Sequence, residues 1–109
     1  MPRSNDIIFV YITNPNRKIA KKMAEILVKK NLVACVNMFP ISSLYRWNKK
    51  LTDEKEYVLL GKTLDKFYGD IVRIMEKQHP YKTPCIIKIP VKSNNKYFHW
   101  IKGEVDKSG

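Results

Sequence analysis

An imidazole, a phenol and two prolines are packed into the short stretch His79-Pro80-Tyr81-Lys82-Thr83-Pro84. Each proline fixes its own φ near −65° and keeps the residue before it out of the helical region, so His79 and Thr83 are expected to be extended and the segment rigid. A rigid loop that presents a titratable ring is a candidate site. The plainer reading is that it only ends one helix and aims the next strand. Two further charged residues, Glu56 and Lys62, fall in the strand-like run EYVLLGK, where the two-residue period puts them on one face with Val58 and Leu60. At ~3.3 Å per residue they stand about 20 Å apart, so any site they share must draw on other segments or other subunits. Cys35 and Cys85 sit in apolar runs without a CxxC spacing, which reads as free thiols and excludes a zinc motif.

The elements around these residues follow from periodicity. Residues 6–13 form a β-branched and aromatic run, as expected for a strand covered on both faces. Asn14 or Asn16 caps a helix over 17–30 whose apolar stripe is Ile19, Ala20, Met23, Ala24 and Leu27. Its other face carries Arg17, Lys18, Lys21, Lys22, Lys29 and Lys30, a phosphate-binding face or, more commonly, a solvated one. Asn31 closes the helix in the left-handed conformation. A second strand covers 32–39, Pro40 introduces a bend or bulge, and 43–47 resume an alternation that sends Tyr45 and Trp47 to one face. Polar residues 48–55 form a loop or hairpin ahead of a third strand over 56–62. Thr63 or Asp65 caps a second helix with the stripe Leu64, Phe67, Tyr68, Ile71 and Ile74 or Met75. After 79–84 a fourth strand spans 85–91, with Pro90 at an edge or end, and Ser93 or Asn94 starts a short last helix bearing Tyr97, Trp100 and Ile101.

This order is βαββαβ plus one helix, the α+β, ferredoxin-like pattern of two helices on one face of an antiparallel sheet. The first two strands are apolar on both sides, so the other sheet face needs a cover, and an oligomer is expected.

The totals agree with one soluble domain over 1–109, with flexible ends at 1–5 and 106–109. A length of 109 residues suits one core, and 44% hydrophobic content excludes a disordered chain. No apolar run approaches the ~20 residues of a membrane span, and the polar start lacks the h-region of a secretory signal, so a cytoplasmic location is expected. Twenty-one Lys and Arg against ten Asp and Glu leave a formal +11, which attracts polyanions. The third strand lacks the Lys/Arg-Gly-aromatic pattern of ferredoxin-like RNA binders, so nucleic-acid association is expected to be weak and salt-labile. No Gly-rich phosphate loop or serine elbow is present, which argues against an enzyme.

Several blocks carry a family resemblance: Thr13-Asn14-Pro15, Leu32-Val33-Ala34-Cys35-Val36-Asn37, Ser43-Leu44-Tyr45-Arg46-Trp47, Glu56-Tyr57 through Lys62-Thr63, and His79 to Pro84. In order and spacing, over roughly residues 7–100, they resemble the divalent-cation tolerance (CutA) family. The resemblance implies a homotrimer assembled through sheet edges, similar in architecture to the trimeric nitrogen-regulatory signal transducers. It also implies an intersubunit cleft at Trp47, Glu56, Lys62, His79 and Tyr81. Family members are named for tolerance to copper and other divalent ions, some bind copper, others are linked to anchoring or assembly of membrane-associated partners, and no reaction is established. Such a cleft would take a small anion or a divalent metal such as copper, with no required cofactor. His79 would supply an imidazole, Glu56 a carboxylate, Lys62 a positive charge, and Trp47 and Tyr81 the walls. Cys35 matches the strand-two cysteine of the family, though apolar neighbours make it a poor thiolate ligand. Ile12 and Ile74 stand where some bacterial members have cysteine, a departure that weighs against thiolate copper binding.

Overall fold

The computed structural model describes residues 3 and 6–106. Four strands and three helices follow one another as β1 (Ile7–Asn14), α1 (Arg17–Lys29), β2 (Cys35–Trp47), β3 (Lys50–Leu64), α2 (Tyr68–Gln78), β4 (Ile86–Pro90) and α3 (Asn95–Val105). The strands form one antiparallel sheet in the order β2-β3-β1-β4, which is the ferredoxin-like arrangement expected from the pattern.

The local signals act as their chemistry requires. Asn16 caps α1, its side chain accepting the Ile19 N–H at 2.9 Å. Asn14 is instead the buried last residue of β1. Asn31 takes φ 57° and ends α1. Helix α2 lacks a side-chain cap and is entered through a 3-10 turn over Asp65–Phe67, so neither Thr63 nor Asp65 caps it. The Thr63 hydroxyl donates to the Leu32 carbonyl at 2.6 Å instead.

One face of the sheet is covered by α1 and α2. Ile8, Val10, Ile12 and Leu59 meet Met23, Leu27, Ile71 and Met75 there, all essentially inaccessible to solvent. Gly61 lies on this face opposite Val10, and a Cβ built on it would stand 3.0 Å from Val33 Cγ1. Glycine is therefore needed for close approach. Gly61→Ala is expected to lose about 1–2 kcal/mol and to lower Tm by roughly 5–10 °C, checked by calorimetry of the two proteins.

Three expectations require correction. First, β2 continues unbroken through Pro40, in constant register with β3 from Cys35↔Lys62 to Trp47↔Lys50. The strand tolerates proline because β2 is a sheet edge, where one side of the backbone has no ladder partner. Second, of the loop or hairpin expected over 48–55 the hairpin is found, but its turn is confined to Asn48 and Lys49 with φ 50° and 66°, the primed geometry that suits a twisted two-residue hairpin, and the remaining residues belong to the strand. Strand β3 thus spans 15 residues, and the hairpin tip projects with Leu44, Trp47 and Leu51 exposed. Third, α3 is as long as α2 and covers one end of the face expected to be open. Ile101 and Val105 pack there on Ile7 and Leu64, which point away from the α1 side. Asp106, expected in a flexible end, accepts from Lys66 Nζ at 2.8 Å. The other expected flexible positions, apart from Arg3, lie outside the described residues.

Candidate binding groove

Strand alternation and the α2–β4 segment together build a groove. Glu54 and Glu56 share the β3 face that looks away from α1, flanked across the hairpin by Ser43, Tyr45 and Trp47, and residues 80–83 close the other side. The groove has a volume of about 840 Å³ and Thr13 and Cys85 at its floor.

His79 fixes this wall. It ends α2 in an extended conformation, φ −74° and ψ 142°, as the following proline demands. Nε2 lies 2.9 Å from the Thr13 carbonyl and 3.0 Å from Asn14 Oδ1, and Nδ1 accepts the Tyr81 N–H at 3.0 Å. Asn14 Nδ2 donates to the Ile12 and Tyr57 carbonyls, which leaves its oxygen to accept. Only the neutral tautomer with hydrogen on Nε2 satisfies all of these contacts. Burial lowers the His79 pKa from its usual value against the smaller opposing pulls of the Thr13 carbonyl and Glu56.

With its backbone held, Tyr81 donates its hydroxyl to Glu56 Oε2 at 2.6 Å and stacks at a tilt on the His79 ring, centroids 4.8 Å apart. Burial and then the Glu56 carboxylate push its phenol well above the ordinary value. Tyr45 likewise donates to Glu54 Oε1 at 3.0 Å, which raises its pKa. Each glutamate keeps one carboxylate oxygen free of these bonds, and among the described residues neither has an ion-pair partner. Burial raises the Cys85 thiol, partly offset by hydrogen bonding to Thr13.

Within one chain the expected cleft residues are only partly brought together. Trp47, Glu56 and Tyr81 line the groove. His79 braces it from behind. Lys62 is at the other end of β3, opposite Cys35, where its Nζ lies 3.4 Å from Tyr97 Oη and Cys35 Sγ lies 3.5 Å from the same oxygen. That hydroxyl titrates above its usual value, chiefly through Cys35. Tyr97 in turn stacks on Trp100 at 5.6 Å.

The metal set of His79, Glu56 and Cys35 is therefore not assembled in one protomer. Both His79 nitrogens are committed, Cys35 lies beside Lys62, and no group of three metal-binding side chains occurs among the described residues. A single chain does not fit a metal centre. Sequence reasoning missed Glu54 and Tyr45 as site residues. Extending the two-residue period back from Glu56 through 48–55 would have found the first. It also missed Asn14 as the partner of His79, because its side chain reads equally well as a cap.

The chain is thus a small α+β domain of ferredoxin-like architecture with an aromatic-walled, carboxylate-bearing groove. More specifically, the chain belongs to the CutA1 divalent ion tolerance protein family, whose pattern matches residues 8–104. It is 36% identical over 99 residues to a divalent-cation tolerance protein CutA of Archaeoglobus fulgidus, covering 90% of this chain and 97% of that one. Protein CutA of Mus musculus is 36% identical over 93 residues, but the match spans 84% of this chain and only 52% of the mouse protein. Among solved structures, CutA1 from Oryza sativa superposes with a TM-score of 0.89 at 33% identity, covering 94% of this chain and 95% of that one. CutA from Archaeoglobus fulgidus does so with a TM-score of 0.88 at 34% identity, covering 91% and 98%. That archaeal protein is described as periplasmic. It overturns the cytoplasmic location expected from the polar start of the chain, since relatives of this fold are not confined to that compartment.

Proposed function

We propose that the chain works as a homotrimeric binding protein of divalent-cation tolerance, with its ligand in a groove completed at the subunit interface. The observation that carries this reading is Glu56: a residue only 8% exposed, its carboxylate held by a neutral phenol and, among the described residues, without an ion-pair partner. A buried charge without a counter-charge is costly, so the groove favours a cationic ligand or a cation from a neighbouring protomer. With oxygen donors from Glu54 and Glu56 and no free imidazole, a divalent ion would be held weakly, its remaining positions filled by water or a second subunit. The Lys62, Tyr97 and Cys35 cluster is the natural candidate for that second wall. In this arrangement Lys62 faces the Glu56 carboxylate across the interface and takes the place of the anion-binding role expected of it in the intersubunit cleft.

Calorimetric titration with copper and with zinc tests it. Glu56→Gln is expected to weaken the binding at least tenfold. Binding that is unchanged in Glu56→Gln would remove the groove from the site. The coarser family assignment, divalent-cation tolerance without an assigned reaction, does not depend on this outcome.

A further inference from the structure

The cations of α1 are placed where helix energetics disfavours them. Arg17 and Lys18 occupy the first turn, which contains no acidic residue, although the positive end of the helix dipole lies there. Lys21 and Lys22 repeat the pair one turn on, so Arg17 with Lys21 and Lys18 with Lys22 form two rows at the four-residue spacing that brings side chains to ~5–6 Å. Among the described residues none of these four has a hydrogen-bond or ion-pair partner. The only ion pair on α1 is Lys29 with Glu25, at 3.9 Å. Beside the first turn, a groove of about 510 Å³ runs between Pro15 and Ser42, lined by the cations Arg17 and Lys55 and by one carboxylate, that of Glu56. Repulsive charges kept together at a local energetic cost, without internal compensation, mark a surface built for an external partner.

The partner is a polyanion, and the chemistry of the face narrows it. No aromatic side chain belongs to α1, so single-stranded nucleic acid would find no stacking platform there. The exposed positions of its first two turns offer no large apolar group to enter a lipid interface. A ridge of paired cations next to a cation-flanked groove suits the phosphate rows of a rigid double helix. We propose that the α1 ridge, through Arg17, Lys18, Lys21, Lys22 and Lys55, binds the phosphate backbone of duplex nucleic acid without reading sequence. The α1 ridge itself lies outside the larger groove, although Glu56 contributes to the lining of both grooves.

The test is a titration of the full-length protein into a fluorescent 20-base-pair DNA duplex of arbitrary sequence at several salt concentrations. Binding is expected to be micromolar or weaker near physiological salt and to tighten steeply as salt is lowered. Changing Lys18, Lys21 and Lys22 together to Gln is expected to weaken it at least tenfold at low salt. The slope of log K against log salt should fall by about three for each protomer engaged. Changing Lys92, Lys96 and Lys102 to Gln removes the same charge elsewhere and is expected to leave most of the affinity. Lys18, Lys21, Lys22, Lys92 and Lys96 are exposed and Lys102 is partly exposed, and a circular dichroism spectrum of each triple variant checks that it folds. Equal losses in the two triple variants would reduce the effect to net charge and overturn the proposal. So would absence of binding at low salt, or tighter α1-dependent binding to single strands or to vesicles of anionic phospholipid.

Discussion

Replacing His79 by alanine is expected to destabilise the protein by about 2–4 kcal/mol, a large part of the 5–15 kcal/mol typical of a whole domain. The imidazole ties β1 to the loop after α2: it meets the Thr13 carbonyl and Asn14 on one side and the Tyr81 N–H on the other. Its removal leaves buried polar atoms without partners and frees Tyr81 from its position over Glu56. Protonation does the same by another route. Burial lowers the His79 pKa, and a hydrogen on Nδ1 would in addition face the Tyr81 N–H, donor against donor, so the folded form resists charging. The unfolded chain, with its histidine near 6.5, then binds more protons than the native one. Stability contributed by His79 is fully present above about pH 6.5 and is lost as pH falls through the lower folded value. Urea unfolding from pH 8 to pH 5 is expected to show this decline in the wild type and a flatter profile in His79→Ala. Parallel profiles would show that the ring does not titrate as this geometry requires.

The second large effect is expected on the sheet face that α3 leaves bare. Phe39, Ile87 and Ile89 are 38%, 49% and 38% exposed, and Trp100 of α3 is 45% exposed. In a trimer this surface is the natural interface, because it carries exposed apolar side chains at both edges of the sheet. A carboxylate buried against it without a partner costs several kcal/mol, so Phe39→Glu combined with Ile89→Glu should raise the dissociation constant by at least ~100-fold. The double variant is expected to sediment as a monomer with an unchanged far-ultraviolet circular dichroism spectrum. It should also lose divalent-ion binding together with assembly. A variant that keeps the mass of the wild type would place the interface elsewhere.

Much of the architecture was legible in the residues. Apolar runs gave β1 and the inner half of β2, and three- and four-residue spacing gave α1 and α2, because each of these elements buries a face whose period is visible. The extent of the outer hairpin, with β3 beginning at Lys50, was not legible. Residues 48–55 are polar because they project beyond the core, and a strand exposed on both faces loses the alternation that identifies it. The side of the sheet chosen by α3 was equally hidden, since its stripe says that it packs but not on what. The ~20 Å between Glu56 and Lys62 correctly kept them apart, and the structure gives each its own neighbours, Tyr81 for one and Tyr97 for the other. His79 was recognised as chemically distinctive, yet its role as a brace depends on Asn14, 65 residues away in sequence, and no local signal connects the two.

Sedimentation equilibrium of the wild-type protein at micromolar concentration tests the proposed assembly, and with it the shared groove, most directly. A mass of three times 12.8 kDa is the expected result. A stable species of 12.8 kDa would contradict it, because the bare sheet face and the uncompensated Glu56 would then belong to a monomer.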